Sequence, residues 1–265
     1  IYDIVYRTDF ADLKAELQKS LDKSSKICIV TDSNVGPLYA NEVLNSISDY
    51  FELVYIFTFE AGENSKNTKT VESLLRSLVE HEFTRSDALI ALGGGVVGDL
   101  SGFVASAFMR GVDFYNIPTT MLSQVDSSIG GKTGVNLNNV KNVVGAFYQP
   151  KKVVIDPEVL ATLPKRQITN GLAEALKMAT TFDKQLFDVF ENDNPFDKIE
   201  QIIEKSLICK KNVVEQDEKE SGLRKVLNFG HTIGHAIEKN SDFKLFHGQC
   251  VAIGMVAAGE LCVKR

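Results

Sequence analysis

The stretch Ala88-Leu89-Ile90-Ala91-Leu92-Gly93-Gly94-Gly95-Val96-Val97-Gly98-Asp99 reads as strand, glycine turn and helix in immediate succession. Five apolar residues bounded by glycine fit a short buried strand, and the apolar run that follows, to Phe108, fits a helix. Between them Gly93 to Gly98 satisfies G-x-G-x-x-G. Glycines let a backbone approach a pyrophosphate, and a helix N-terminus offers free N–H groups and the positive end of its dipole. The same glycines also serve plain strand-to-helix packing. Two features depart from the usual dinucleotide fingerprint: the run does not lie in the first βα unit, and no acidic residue ends a strand about 20 positions on. Asp32, after an earlier strand, is the better ribose candidate.

Outward from this stretch the same rhythm repeats. Lys26 to Thr31 and Leu53 to Phe59 read as strands, Thr68 to Phe83 as an amphipathic helix through Val71, Leu74, Leu75, Leu78 and Val79, and Val112 to Ile117 as another strand. Such alternation predicts a mostly parallel sheet covered by helices. After Asp156-Pro157 the pattern turns helical, over 167–190, 197–215, 228–240 and 247–263, with almost no strand signal. The predicted architecture is therefore a Rossmann-like α/β nucleotide-binding domain over 1–160 and an α-helical metal- and substrate-binding domain over 161–265. The last helix, Val251 to Val263, is nearly continuous apolar sequence, so burial on most sides is expected. Because the chain stops two residues later, at Arg265, the second domain is expected to be incomplete at its C-terminus.

Composition narrows the functional classes. With 265 residues, 44% hydrophobic and 24% charged, the chain is of ordinary globular type. No stretch approaches the roughly 18 consecutive apolar residues of a membrane helix, and the first residues lack the basic flank of a signal peptide. A net charge of −6 argues against broad nucleic-acid binding but leaves room for a small anionic substrate held by local cations. The four cysteines are scattered, with no C-x-x-C pair, which suits a reducing cytoplasm.

Two further clusters carry chemistry. Pro118 to Asn136 is polar and punctuated by glycine. Its Gly131-Lys132-Thr133 resembles the end of a P-loop, but Asp126 stands where that motif needs glycine, which excludes the ATPase reading. A glycine-flanked lysine among Ser, Thr and Asp suits a phosphate or carboxylate, and Arg110, Lys141 and Asn142 add donors. Taken singly, each is more often a solvated surface residue. The second cluster holds three of the four histidines. His231 and His235, four apart on a helix, share a face. Thr232 replaces the glutamate of H-E-x-x-H, which excludes a zinc protease, and His247 follows a turn. With Glu174 as an oxygen donor, two imidazoles and a carboxylate make the pattern of a catalytic zinc site. Spacing leaves open which two histidines ligate.

These segments together resemble the 3-dehydroquinate synthase family, and the likeness runs along essentially the whole chain. The matching runs are Gly62-Glu63-Asn64-Ser65-Lys66, Gly93 to Leu100, Arg110-Gly111, Pro118-Thr119-Thr120, Asp126 to Asn136 and Lys141-Asn142. Beyond these come Gly171 to Lys177, Asp217 to Glu220 with Arg224, Asn228 to Glu238, and His247-Gly248. The resemblance implies an NAD-dependent homodimer with a divalent metal, commonly zinc and alternatively cobalt. It also implies Glu174, His231 and His247 as metal ligands and His235 as a catalytic histidine. Asp32, Glu63, Lys66, the run Gly94-Gly95-Val96-Val97-Gly98-Asp99, Thr119, Thr120, Lys141 and Thr162 match cofactor positions. Asp126, Lys132, Asn142 and Lys177, with Arg110, Arg224 and Asn228, match positions that hold the substrate's phosphate, carboxylate and hydroxyls.

The implied reaction converts 3-deoxy-D-arabino-heptulosonate 7-phosphate to 3-dehydroquinate and phosphate in the shikimate pathway, making the enzyme a phosphorus–oxygen lyase. It proceeds by transient oxidation by NAD, elimination, re-reduction and aldol closure. Gln249-Cys250 stands where the family more often has Glu-Ala. The rivals are another sugar-phosphate cyclase, a polyol-phosphate dehydrogenase of the same architecture, and an inactive binding module. Asn228 and Gly234-His235-Ala236 look more like the dehydroquinate enzymes than the valiolone makers.

Overall fold

The computed structural model describes residues 2–6, 10–138, 140–241 and 244–264. The chain forms two compact units, one of residues 1–119 and 131–158, the other of residues 120–130 and 159–265.

The first unit is built on a six-stranded, wholly parallel sheet: β1 (Asp3–Tyr6), β2 (Lys26–Asp32), β3 (Leu53–Phe59), β4 (Ala88–Gly93), β5 (Asp113–Pro118) and β8 (Lys152–Ile155), in the order β1-β8-β5-β4-β2-β3. The connections include helices α1 (Leu13–Leu17), α2 (Asn41–Ile47), α3 (Thr68–Glu80) and α4 (Gly95–Ala107). This is the Rossmann-like arrangement of parallel strands under helical cover. β4 is buried along its whole length, as its unbroken apolar run requires. Its Leu89 and Ala91 pack with Leu74 and Leu78 of α3 and Val97, Leu100 and Val104 of α4. Asn67 starts α3 by accepting the Lys69 and Thr70 N–H groups at 2.9 and 3.1 Å.

An antiparallel hairpin, β6 (Lys132–Leu137) and β7 (Val140–Phe147), falls where the sequence showed only a polar cluster. Gly134 faces Gly145 across it, and a Cβ on either would strike the opposite backbone. The hairpin packs on α4, where Gly102 leaves room for Thr133.

The second unit is helical: α5 (Lys165–Phe182), α6 (Lys184–Asn192), α7 (Ile199–Gln216), α8 (His231–Asn240) and α9 (His247–Val263). The helix expected over 167–190 is two. Asp183, extended at φ −139°, accepts the Leu186 N–H and caps α6, breaking the run. α8 begins at His231 rather than at 228, because Gly230 takes a left-handed φ of 79°. The expected burial of α9 on most sides is corrected. Cys250, Val251 and Met255 are buried, while Val256 and Leu261 are 70% and 60% exposed. Among the described residues, the covered face of α9 is the one that meets α5 and α8.

Candidate active site and metal centre

In the first unit the candidate residues gather at the C-terminal edge of the sheet. β2 ends at Asp32 and its neighbour β4 at Gly93. Val30 pairs with Ala91, so the carboxyl and the glycine turn stand level on adjacent strands. Here the strand order reverses, with β3 on one side of β2 and β4 on the other. Open α/β sheets bind ligands at such a switch point. Gly94 precedes α4 in an extended conformation and has no side chain to cap the helix. Gly98 lies against Asn116, 3.1 Å from where a Cβ would fall, which fits the third glycine's packing role. The hydroxyls of Thr31 and Thr119 are buried without hydrogen-bond partners, beside this edge. Unsatisfied buried hydroxyls are costly unless a ligand or water completes them. Asp32 Oδ1 accepts the N–H groups of Asn34 and Val35, both at 2.9 Å.

Lys66 is buried and donates to Asp99 Oδ2 at 2.5 Å and to Asn142 Oδ1 at 2.6 Å. Asn136 closes this network: its side chain donates to Glu63 at 2.9 Å and accepts the Asn142 N–H at 2.9 Å, and its N–H meets the Lys66 carbonyl at 2.8 Å. Glu63, Lys66, Asp99 and Asn142 are thus brought together from three separate runs, with Asn142 at a left-handed φ of 53°. Three further candidates of this unit are exposed. Arg110 is exposed beyond the far end of the 13-residue α4, about 20 Å along the helix from Gly95. Lys132 is exposed at the start of β6, four residues from Asn136, and Lys141 is exposed beside Asn142.

In the second unit the charged candidates converge. Glu174 is fully buried on α5, and its Oε2 accepts from Lys177. Its Oε1 makes no hydrogen bond, yet lies 3.3 Å from His247 Nε2 and 3.6 Å from His231 Nε2. His235 completes a trio whose ligand atoms lie within 4.8 Å of one another, though it is the exposed member. Asp126 pairs with Lys210 of α7, a residue the sequence reading missed. The signal was present: Lys210 falls on the same stripe as Ser206, Val213 and Val214, all buried, where a lysine is out of place unless paired. Arg224 is 1% exposed and donates to the carbonyls of Glu218 and Gly130, at 2.5 and 3.0 Å. Asn228 donates to Glu220 at 2.8 Å. Thr120 bonds to Ser123 at 2.8 Å, and the Thr162 hydroxyl donates to the Val159 carbonyl at 3.1 Å.

Burial opposes charge throughout the cluster, and neighbours decide the outcome. Burial raises the Glu174 carboxyl, but Lys177 and His247 outweigh it and hold it at about 2. Asp126 is likewise held below the carboxylate range by Lys210 and Lys177 against its burial. Burial lowers Lys210 below an ordinary lysine, whereas Asp126 and Glu174 keep Lys177 raised despite it. His231 is lowered by burial. His247, equally opposed by burial, is lifted to about 9 by Glu174 and Glu238. A buried carboxylate oxygen without a donor, facing two imidazole nitrogens, fits a divalent cation.

The 3-dehydroquinate synthase N-terminal family matches residues 56–170, and the 3-dehydroquinate synthase C-terminal family matches residues 171–265. The 3-dehydroquinate synthase of Sulfurimonas denitrificans is 47% identical over 249 residues, which cover 92% of this chain and 70% of that enzyme. The chain belongs to the 3-dehydroquinate synthase family. Two solved structures of sugar-phosphate cyclases share the fold of this 3-dehydroquinate synthase family member. A 2-deoxy-scyllo-inosose synthase complexed with carbaglucose-6-phosphate, NAD+ and Co2+ superposes with a TM-score of 0.90 at 27% identity, over 99% of this chain and 74% of that one. A 2-epi-5-epi-valiolone synthase from Streptomyces hygroscopicus subsp. jinggangensis, with NAD+ and Zn2+ bound, gives a TM-score of 0.87 at 29% identity, over 96% and 72%. No helix among the described residues is long and apolar enough to cross a membrane.

Proposed function

We propose that the chain converts 3-deoxy-D-arabino-heptulosonate 7-phosphate to 3-dehydroquinate and phosphate, with the first unit holding NAD and the second holding the metal and most of the substrate. What carries this reading is the 47% identity to a dehydroquinate-forming relative over 92% of the chain, against 27% and 29% to the other cyclases. Glu174, His231 and His247 would hold a divalent cation, most simply zinc. Bound NAD supplies reversible oxidation of an alcohol, and the bound cation acidifies the hydroxyl it holds.

The chain's own residues do the rest. Asp32, Gly94 to Asp99 and Thr119 line the sheet edge where the dinucleotide is proposed to lie, with Lys66 neutralising Asp99. Lys177, Lys210 and Arg224, among carboxylates that include Asp126 and Glu174, supply the cations proposed to meet a doubly anionic substrate. Asp126, held ionised by Lys210, orients a substrate hydroxyl. His235, exposed beside the partly buried pair, moves protons, and the substrate's own phosphate serves as base for its elimination. The proposed partners are the phosphorylated sugar acid and a second copy in a homodimer, with a cytoplasmic setting that suits the buried free thiols of Cys28, Cys209 and Cys250.

The test is phosphate release from the heptulosonate phosphate with NAD well below substrate and zinc either added or chelated. Many turnovers per NAD, lost on chelation, are expected. NADH accumulating in step with product would instead mean a dehydrogenase. Release only from other sugar phosphates would mean a sister cyclase.

A further inference from the structure

His231, His235 and Glu238 occupy positions i, i+4 and i+7 of α8 and so share one stripe. The stripe's first two members belong to the histidine trio, while Glu238 has been given no part. It is nonetheless buried, at 6% exposure. A carboxylate in that position is costly unless something answers its charge.

The answer lies on the neighbouring helix. Glu238 Oε2 stands 3.5 Å from His247 Nδ1, while Nε2 of the same ring stands 3.3 Å from Glu174 Oε1. Each nitrogen of the imidazole therefore faces its own carboxylate. Two features hold this arrangement. Gly234 and Gly254 let α8 and α9 approach until a Cβ on either would strike the other helix's backbone or the turn before it. The N–H of Gly248 donates to Asn170 Oδ1 at 2.7 Å, tying the start of α9 to α5, the helix that carries Glu174.

An imidazole binds a cation through one nitrogen only if the proton resides on the other, and a carboxylate at that other nitrogen fixes both tautomer and ring orientation. We propose that Glu238 is a positioning residue: it accepts the Nδ1–H of His247, so that Nε2 is presented beside Glu174 as the lone-pair donor to the divalent cation. A small rotation of the carboxylate brings the 3.5 Å separation to the length of a charge-assisted hydrogen bond, about 2.8 Å. This rests on the reading of Glu174, His231 and His247 as the metal set.

The test measures Zn2+ affinity of the full chain by competition with a chromophoric chelator, together with the visible spectrum of the Co2+-loaded protein. Glu238→Ala is expected to weaken Zn2+ binding by about 10- to 100-fold. Glu238→Gln, which keeps the shape and an accepting oxygen, recovers part of the loss and is the informative variant should the alanine protein fail to fold. Both shift the Co2+ bands, which a merely structural role would leave in place. Zn2+ affinity within twofold of the parent in a folded Glu238→Gln protein, with unchanged Co2+ bands, overturns the proposal. Glu174→Gln separates the two readings: if it too leaves affinity unchanged, the metal set itself is wrong, whereas if it alone abolishes binding, only the role of Glu238 falls.

Discussion

Asp217 receives the backbone N–H of Arg224, seven residues later, at 3.0 Å, and so closes the loop that carries the most deeply buried arginine of the site. The same carboxylate accepts the N–H groups of Ser221 and Gly222 at 2.8 and 2.7 Å. Burial opposes its charge, but these backbone donors bring it from an ordinary 3.8 to about 2. A lowered carboxyl stabilises the fold above its ordinary value, and that contribution is lost as the pH falls through the folded one. Denaturant midpoints of the parent should therefore drop between pH 4 and pH 2 more than those of Asp217→Asn, which lacks the ionisable group (about 4 and about 2 being the unfolded and folded values). At neutral pH the same variant should raise the KM for the phosphorylated substrate through a looser Arg224. Parallel acid profiles for the two proteins would count against this account.

Lys66 is 5% exposed at its side chain, against 20% for Asp99. Removing one partner of a buried pair leaves an uncompensated charge and costs about 3 kcal/mol or more. Because Asp99 is partly solvated, the lower end is expected for Lys66→Ala in urea unfolding. Without that ammonium the Asp99 carboxylate would face the proposed pyrophosphate, so NAD affinity should fall as well. Adding Asp99→Asn should restore part of both losses. Strict additivity in this double-mutant cycle would show that the pair is not coupled.

Glu174 Oε1 is the one buried carboxylate oxygen that lacks a hydrogen bond among the described residues. A cation that completes it binds only the folded chain and stabilises it by mass action, by about 2.7 kcal/mol at a hundredfold excess over Kd. Zinc should accordingly raise the melting temperature of the parent, and a chelator should reverse the gain. Glu174→Gln should melt at the same temperature with and without zinc. A zinc-dependent rise that survives in that variant would place the metal elsewhere.

Much of this was legible in the sequence, unevenly. The strands β2, β4 and β5 announce themselves because a parallel sheet buried on both faces needs continuous apolar runs, and β3, half-buried at the sheet edge, does so through its β-branched and aromatic residues. The edge strand β1 and the short β8 do not, since four residues are too few for any period to register. The hairpin escaped for a different reason: β7 exposes most of its residues, and Gly134, which belongs to the polar cluster, also marks close backbone approach to Gly145. Among site residues, histidine spacing signalled the trio, but nothing local to Asp126 predicts a lysine 84 positions away. Partners of that kind are set by tertiary packing.

The seat of Asp126 leads to the last prediction. The segment 120–130 belongs to the helical unit although the chain on either side of it belongs to the sheet unit. Gly171 of α5 holds it there: a Cβ at that position would strike the backbone of Met121 and Leu122. Backbone cannot give way as a side-chain tip can, so Gly171→Ala should push the segment off α5 and move Asp126 from Lys210. Overpacking of this kind typically costs about 1–3 kcal/mol, although alanine is the better helix former by up to about 1 kcal/mol. A net loss of stability in urea unfolding is expected, with a larger fall in kcat than the stability change alone would cause. Gly259, also in a helix but with open space around its Cβ position, supplies the control. Gly259→Ala should hold or raise stability, and a loss equal to that of Gly171→Ala would remove the steric argument.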